Sequence, residues 1–510
     1  MTESNQKKST IRSAGYAALI ERYSLEVIPN WHTSRVTTSA IRRTDTHAGI
    51  TEEVFPPTHW PGDGLGDHLE FALKYDGTNL ALLASLFQEA VVDDLLEYIR
   101  SKPTGKYARR IWFLYEYLTG KMLPLEDLKQ GSYISLLEPE EYYTVTPARR
   151  IRRQRVYDNL LGDSRFCPTV RRTELLCEFE MADLPSRCRQ VISRYTPELL
   201  RRALSYLYTK ETKSSFAIER INSSSTRTER FMGLLQVAER EDFCRKPTLI
   251  KLQNQIVDDR FRHDDYRRDQ NYVGETVAWQ NERMHFVCPK PEDLEDLMEG
   301  LVAAHLRMEA GNASAVVHAA AIAYGFVFLH PFEDGNGRIH RFLIHNILAR
   351  RGFTPPGTIV PVSASMLENF SDYDASLEAF SRRLMPLVDY ILDEVGRMAV
   401  RNDTATWYRY IDMTPQAEAL FRFIKRAIDI ELPGELDFLK NYDEVKISIK
   451  EIVDMPDRQI DLFIRFCLQN SGRLSKTKRA SHFGLLTNEE ISEMEQAVQS
   501  AYGDEAALQS

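Results

Sequence analysis

The consecutive run His330-Pro331-Phe332-Glu333-Asp334-Gly335-Asn336-Gly337-Arg338-Ile339-His340-Arg341 holds most of the groups that chemistry at phosphorus needs. The His330 imidazole titrates near neutrality and can take a proton from an attacking hydroxyl. Gly335 and Gly337 admit backbone angles closed to other residues and let a ligand approach the main chain. A helix opening at this turn presents N–H groups without intrahelical partners, and with its dipole they form an anion site suited to phosphate. Arg338 and Arg341 lie three apart on the first turns, where forked guanidinium bonds can grip further phosphate oxygens. A carboxylate at Asp334 would repel those phosphates unless a cation stood between them, and a hard ion such as Mg²⁺ satisfies both. Taken singly, a His-Pro step, a G-x-G or an Asn-Gly turn says little. Together they point to phosphoryl or nucleotidyl transfer onto an alcohol.

The flanking elements have to hold this loop. Ala319 to Leu329 reads as an apolar helix that runs into Pro331, and a second helix is expected over Arg338 to Arg350. The longer apolar run, Ala313 to Leu329, is broken by His318 and is too short and Ala-rich for a membrane span, so it reads as a buried core helix. Helical periodicity dominates from about 190 to 400. The exception is Asn271 to Pro291, where Gly274, Trp279, Phe286, Val287, Pro289 and Pro291 predict a hairpin or extended flap. Thr414-Pro415 predicts a further helix start.

The run resembles the Fic family signature H-x-F-x-[DE]-G-N-G-R-x-x-R, with every fixed position filled. The resemblance spans about 200–400. It implies a mainly α fold, a Fic-type helical bundle with a β-hairpin flap, and transfer of AMP from ATP to a Tyr, Thr or Ser hydroxyl of a target protein or of the chain itself. By position, it implies that His330 is the base and that Asp334 holds the Mg²⁺ bridging the α- and β-phosphates. It further implies that Asn336, Gly335 and Gly337 cradle the α-phosphate, with Arg338 near the β- and Arg341 near the γ-phosphate. Phe332 would pack the loop. The flap arms, Val273-Gly274 and Phe286-Val287, would pair with an extended target segment. His285 is read as a flap side chain, and His340 and His345 as helix-face residues. Tyr373, in the stretch Phe353 to Tyr373, is a candidate nucleoside contact. The family's inhibitory motif [ST]-x-x-x-E-[GN] is matched by Ser215 to Glu219, with Arg220 in place of Gly or Asn. The resemblance implies that Glu219 forms a salt bridge with Arg341 and displaces the γ-phosphate grip. Two alternatives remain open: removal of AMP or transfer of another phosphate group on the same fold, and a nucleotide-sensing DNA-binding regulator.

At 510 residues the chain has room for about three domains. The expected division is 1–190, of unassigned role; 191–400, catalytic, with the inhibitory helix near 210–222; and 401–510, helical, with a winged-helix module as one reading. The net charge of −9 argues against wholesale nucleic-acid coating. Arg149, Arg150, Arg152, Arg153 and Arg155 form a basic cluster, read as a solvated face or a contact for a phosphate-rich or acidic partner, and Lys476 to Arg479 is a second basic patch. The six cysteines show no C-x-x-C pair, which fits reduced thiols and a cytoplasmic protein. The polar start MTESNQKKST lacks the apolar core of a secretory signal, and no membrane partner is expected. Oligomeric state is not legible.

Overall fold

The computed structural model describes residues 11–39, 41–47, 49–221, 224–278 and 281–503; Trp279 and the first ten residues lie outside them. The fold is mainly α, with small sheets at its margins. Near the N-terminus, β1 (Ile11–Ala14), β2 (His32–Thr37), β3 (Arg43–His47) and β4 (Ile50–Phe55) make a sheet of order β1-β2-β4-β3. Strand β2 runs antiparallel to β1 and parallel to β4. Buried Asp76 ties the sheet to the first helix: its carboxylate accepts from the Tyr16 N–H (3.0 Å) and the Ser34 hydroxyl (2.5 Å), and meets His32 Nδ1 at 3.0 Å. Such convergence satisfies a carboxylate that burial would otherwise penalise.

One three-stranded sheet and two hairpins complete the β structure among the described residues. Strands β5 (Ile134–Ser135), β6 (Arg149–Ile151) and β7 (Val156–Asp158) form one small sheet. The hairpin of β8 (Tyr272–Ala278) and β9 (Asn281–Val287) stands where a flap was expected. A shorter hairpin, β10 (Tyr390–Leu392) and β11 (Met398–Val400), touches it through the Tyr272 hydroxyl, which donates to Gly396 O at 3.3 Å.

The apolar helix Ala315–Leu329 is buried on every face, and Asn336–Arg350 packs against it. Around this pair the main core gathers residues from Tyr143 to Leu436. The hydrophobic core therefore does not divide at 190 and 400. Residues 143–191 and 407–436 pack into this main core, because Phe166, Leu176, Trp407 and Leu420 supply its outer layers. An N-terminal core runs from Tyr16 to Cys167, and a C-terminal one from Val445 to Tyr502. Helix Leu432–Ile452 contributes to both the main core and the C-terminal core, so no linker separates those two. Among the described residues no strand follows Val400, so the wing of a winged-helix module is missing there. No helix among them is long and apolar enough to cross a membrane.

The arginine cluster at 149–155 is in part structural. Arg153 pairs with Glu116 and Asp127 and donates to the carbonyls of Leu123 and Leu125. Arg155 donates to the carbonyls of Leu128, Lys129 and Gly131. Two of the five guanidiniums thus bind internal carbonyls and so are not free for a partner.

Candidate active site

The apolar helix ends at His330, which takes the left-handed conformation (φ 51°) as its C-cap and donates its N–H to Phe326 O. A side chain in this region is strained by about 1 kcal/mol, so the turn must be held by its surroundings. The His330 ring places Nδ1 3.2 Å from Val327 O. A carbonyl can only accept, so Nδ1 carries the hydrogen and Nε2 presents a bare lone pair, the form a base needs. Burial is the main cause that pushes the His330 pKa down to about 4. Nearby Arg267 adds to this, and the ring is neutral at physiological pH.

The loop then turns sharply. Gly335 sits at φ 93° and caps helix Asn336–Arg350. The Asn336 carboxamide accepts from the Phe332 N–H (3.1 Å) and donates to Phe332 O (2.7 Å), which locks the turn. Its side chain is thereby taken up by the loop, and the main chain is what it offers an anion. The first intrahelical bond of the new helix is Ile339 N–H to Gly335 O at 2.9 Å, so the N–H groups before it face the loop's open side. Asp334 uses one oxygen, Oδ1, to accept from the Gly335 N–H and from Arg338 Nη2, each at 2.7 Å. Oδ2 has no partner among the described residues, and the side chain is 41% exposed. One free carboxylate oxygen beside an anion site fits a hard cation that takes its remaining ligands from water and phosphate.

Glu219 occupies the anion site. Its Oε1 lies 2.7 Å from Arg341 Nη2, and its Oε2 lies 2.7 Å from Arg338 Nε, out of line with that N–H. The expected bridge to Arg341 is present, and the carboxylate spans Arg338 as well. A Cβ built on Gly337 would meet Glu219 Oε1 at 2.5 Å, so the carboxylate lies directly over the helix N-terminus. Ser215 accepts from Arg341 twice, through Oγ (2.9 Å) and its carbonyl (2.6 Å). Both residues stand on the latch helix Pro197–Ile218 and its cap. That helix begins at Thr196, whose side chain caps Leu199, with Pro197 in the first turn.

The latch ends in a Schellman motif. Ile221 N–H bonds Phe216 O (3.1 Å) and Arg220 N–H bonds Ala217 O (2.9 Å). The residue such a motif holds left-handed is Arg220, at φ 55°. This is the position where the family pattern has Gly or Asn, the types that accept that conformation readily.

Several groups reach this site unannounced by the motif. Glu211, Ser215 and Glu219 are spaced by four along the latch and meet His345, Arg341 and Arg338 on the facing helix. Glu211 is buried, contacts His345 Nε2 at 2.6 Å and accepts from the Ser363 N–H. His345 is thus an anchor inside the core. His340 is also fully buried, with its ring stacked on Tyr373 (interplanar angle 19°) and burial holding it neutral. The Tyr373 hydroxyl accepts from Arg341 Nη1 (3.4 Å) and lies 3.3 Å from His340 Nδ1. Tyr373 therefore stands behind Arg341 and steadies it. The signal for these contacts is the four-residue spacing on the latch, legible only once its partner helix is known.

On the flap, Phe286 packs on Phe328, Phe380 and Tyr408, and Val287 is fully buried, so β9 is rooted in the core. Val273 and Gly274 on β8 are exposed, with a bulge between them. His285 lies on β9, partly buried. A separate cluster, Asp242, Cys244 and His305, has ligating atoms within 4.8 Å of one another. It reads as a hydrogen-bond chain: Arg351 meets His318 Nδ1, His318 Nε2 meets His305 Nδ1, and His305 Nε2 faces Asp242. Arg245, Arg350 and Arg351 surround it, an electrostatic setting that opposes a cation.

Residues 243–348 match the Fic/DOC family model. The chain is 28% identical over 159 residues to the protein adenylyltransferase Fic of Aedes aegypti, covering 31% of this chain and 29% of that protein. It is 38% identical over 99 residues to that of Drosophila mojavensis, covering 19% and 17%. The chain thus spans less than a third of the length of these relatives. Among solved structures, a Fic family protein from Desulfovibrio desulfuricans G20 aligns over 63% of this chain and 87% of its own, at 18% identity and a TM-score of 0.34. The loop between His330 and Arg341 lies within the matched residues, and the chain accordingly carries a Fic/DOC-family domain.

Proposed function

We propose that the protein is an adenylyltransferase that moves AMP from ATP to a protein hydroxyl, breaking the α–β phosphoanhydride bond and releasing pyrophosphate, with the resting site held shut by Glu219. The observation that carries this reading is the Glu219 carboxylate lying across Arg338, Arg341 and the helix N-terminus, where a polyphosphate would place its own negative oxygens. The curated relatives it matches are named protein adenylyltransferases. His330, neutral and with Nε2 free, takes the proton from the attacking hydroxyl. Main-chain N–H groups at Asn336 and Gly337 face the charge that grows on the α-phosphate, the Gly335 N–H being held by Asp334. Arg338 and Arg341 hold the outer phosphates once Glu219 withdraws. Asp334 would hold Mg²⁺ through Oδ2, and the ion supplies charge neutralisation between the phosphates. The exposed β8 face at Val273 and Gly274 offers an edge to an extended target segment.

The test is mass spectrometry of a cell lysate incubated with Glu219→Gly protein, Mg²⁺ and ATP. Added AMP on a Tyr, Thr or Ser, lost when His330→Ala is introduced, is the expected result. No transfer to the protein itself or to any lysate protein would sink the reading. Release of AMP from a pre-modified target by the wild type would favour the reverse reaction, with Glu219 orienting water.

A further inference from the structure

Arg267 is 3% exposed, and no carboxylate pairs with it among the described residues. Its three nitrogens all donate to main-chain carbonyls: Nε to His330 (2.8 Å), Nη1 to Asp269 (2.8 Å) and Nη2 to Pro289 (2.6 Å). Its own N–H donates to Pro331 O at 2.8 Å. Asp269 lies just before β8, and Pro289 just after β9. One rigid fork therefore joins both roots of the flap to the carbonyl of the candidate base.

A buried guanidinium without a counter-ion is costly. Its place explains how it is borne. Arg267 sits at the C-terminal end of the fully buried helix Ala315–Leu329, where the last carbonyls lack intrahelical partners and the helix dipole is negative. It also fixes the strained left-handed turn at His330, whose ring direction follows from that backbone. Lys cannot reproduce the arrangement, since a single ammonium on a flexible stem does not present a planar fork.

We infer that Arg267 is a positioning residue that makes the aim of His330 depend on the flap. A target segment pairing with β8 or β9 shifts the flap roots, and the shared fork carries that shift to the His330 carbonyl. The inference rests on the adenylyltransferase reading, and its test separates the two. Arg267→Lys and Arg267→Met are made in the full chain carrying Glu219→Gly. AMP incorporation is measured against ATP concentration, and amide hydrogen exchange is followed at residues 268–274 and 330–334.

The expected result is a fall in kcat on the order of 100-fold, with KM for ATP within about twofold because Arg338 and Arg341 are untouched. Exchange should accelerate on the order of tenfold at both segments together, while residues 340–348 keep their protection. An unchanged kcat, or acceleration at only one of the two segments, overturns the inference. If the Glu219→Gly parent transfers no AMP, the functional reading has failed, and the exchange result alone decides whether Arg267 couples flap and loop. Should the Met variant fail to fold, the Lys variant carries the test.

Discussion

Two buried arginine sites flank the loop from His330 to Gly335, and they are built on opposite plans. On one side Arg267 has no carboxylate and is held by carbonyls alone. On the other, Arg338 and Arg341 share the carboxylate of Glu219. The first is a permanent part of the frame, because main-chain oxygens cannot leave. The second is a replaceable ligand set, because an anion of similar geometry can take the place of a side chain. The difference shows where a site stores structure and where it stores a switch.

The sharpest way to break this contrast is to remove the base. His330→Ala should lower AMP transfer by about 10²–10⁴-fold while leaving ATP binding, read by calorimetry, unchanged. Next comes the switch itself. Glu219→Gly takes the shared carboxylate from two buried guanidiniums, leaving Arg341 with neutral acceptors and Arg338 with Asp334 as its remaining carboxylate, so the melting temperature without nucleotide should fall, on the order of 3 °C. Mg²⁺-ATP should restore it, because bound phosphates resupply the missing charge. A melting temperature that ATP does not raise would place the nucleotide elsewhere.

The pH profile sharpens the frame side. The His330 pKa is depressed to about 4, below its unfolded value near 6.5. The base stays neutral down to that pH, so transfer should hold steady from about pH 8 to 6 and fall as pH approaches 4. Stability runs with the same sign. Between about pH 6.5 and 4 the unfolded chain binds the proton that the folded ring refuses, so acidification through that window destabilises the fold. A rate profile bending near pH 6.5 would show a solvated imidazole instead.

The smallest effect is expected at Arg220. Replacing it with Gly removes a left-handed strain of about 1 kcal/mol, tightening the latch. Basal transfer by the wild-type background should then drop by about fivefold, measured by incorporation of labelled AMP at fixed ATP. A rise in transfer would mean that the Arg220 side chain itself secures the latch.

The legible parts of the molecule were those carried by contiguous residues. The loop, its two flanking helices and the flap follow from glycine, proline and apolar spacing in short windows. Glu219 was legible only through the family resemblance, which rests on the five-residue match from Ser215 to Glu219. Its second contact, with Arg338, was not, since the two residues come together only through the packing of separate helices. Arg267 gave no signal, because its partners are carbonyls, which any sequence has. His345 and Glu211 were missed for a related reason: a histidine on a helix face looks alike whether it meets solvent or a buried carboxylate. The packing of one core across 190 and 400 was not legible, because composition does not mark where a core ends. Helix Leu432–Ile452 passes between two cores without a break.

The latch helix grades from a deep anchor at Glu211 to a partly exposed tip at Glu219, two turns later. Its release therefore requires only the last turn to unwind, while the anchor stays in place. An incoming polyphosphate competes with one helical turn and two ion pairs, not with the docking of a domain. Such a contest is on the scale of a few kcal/mol, the range that millimolar concentrations of a small molecule command. Under the proposed function, the site would read the supply of its own nucleotide and answer by degrees.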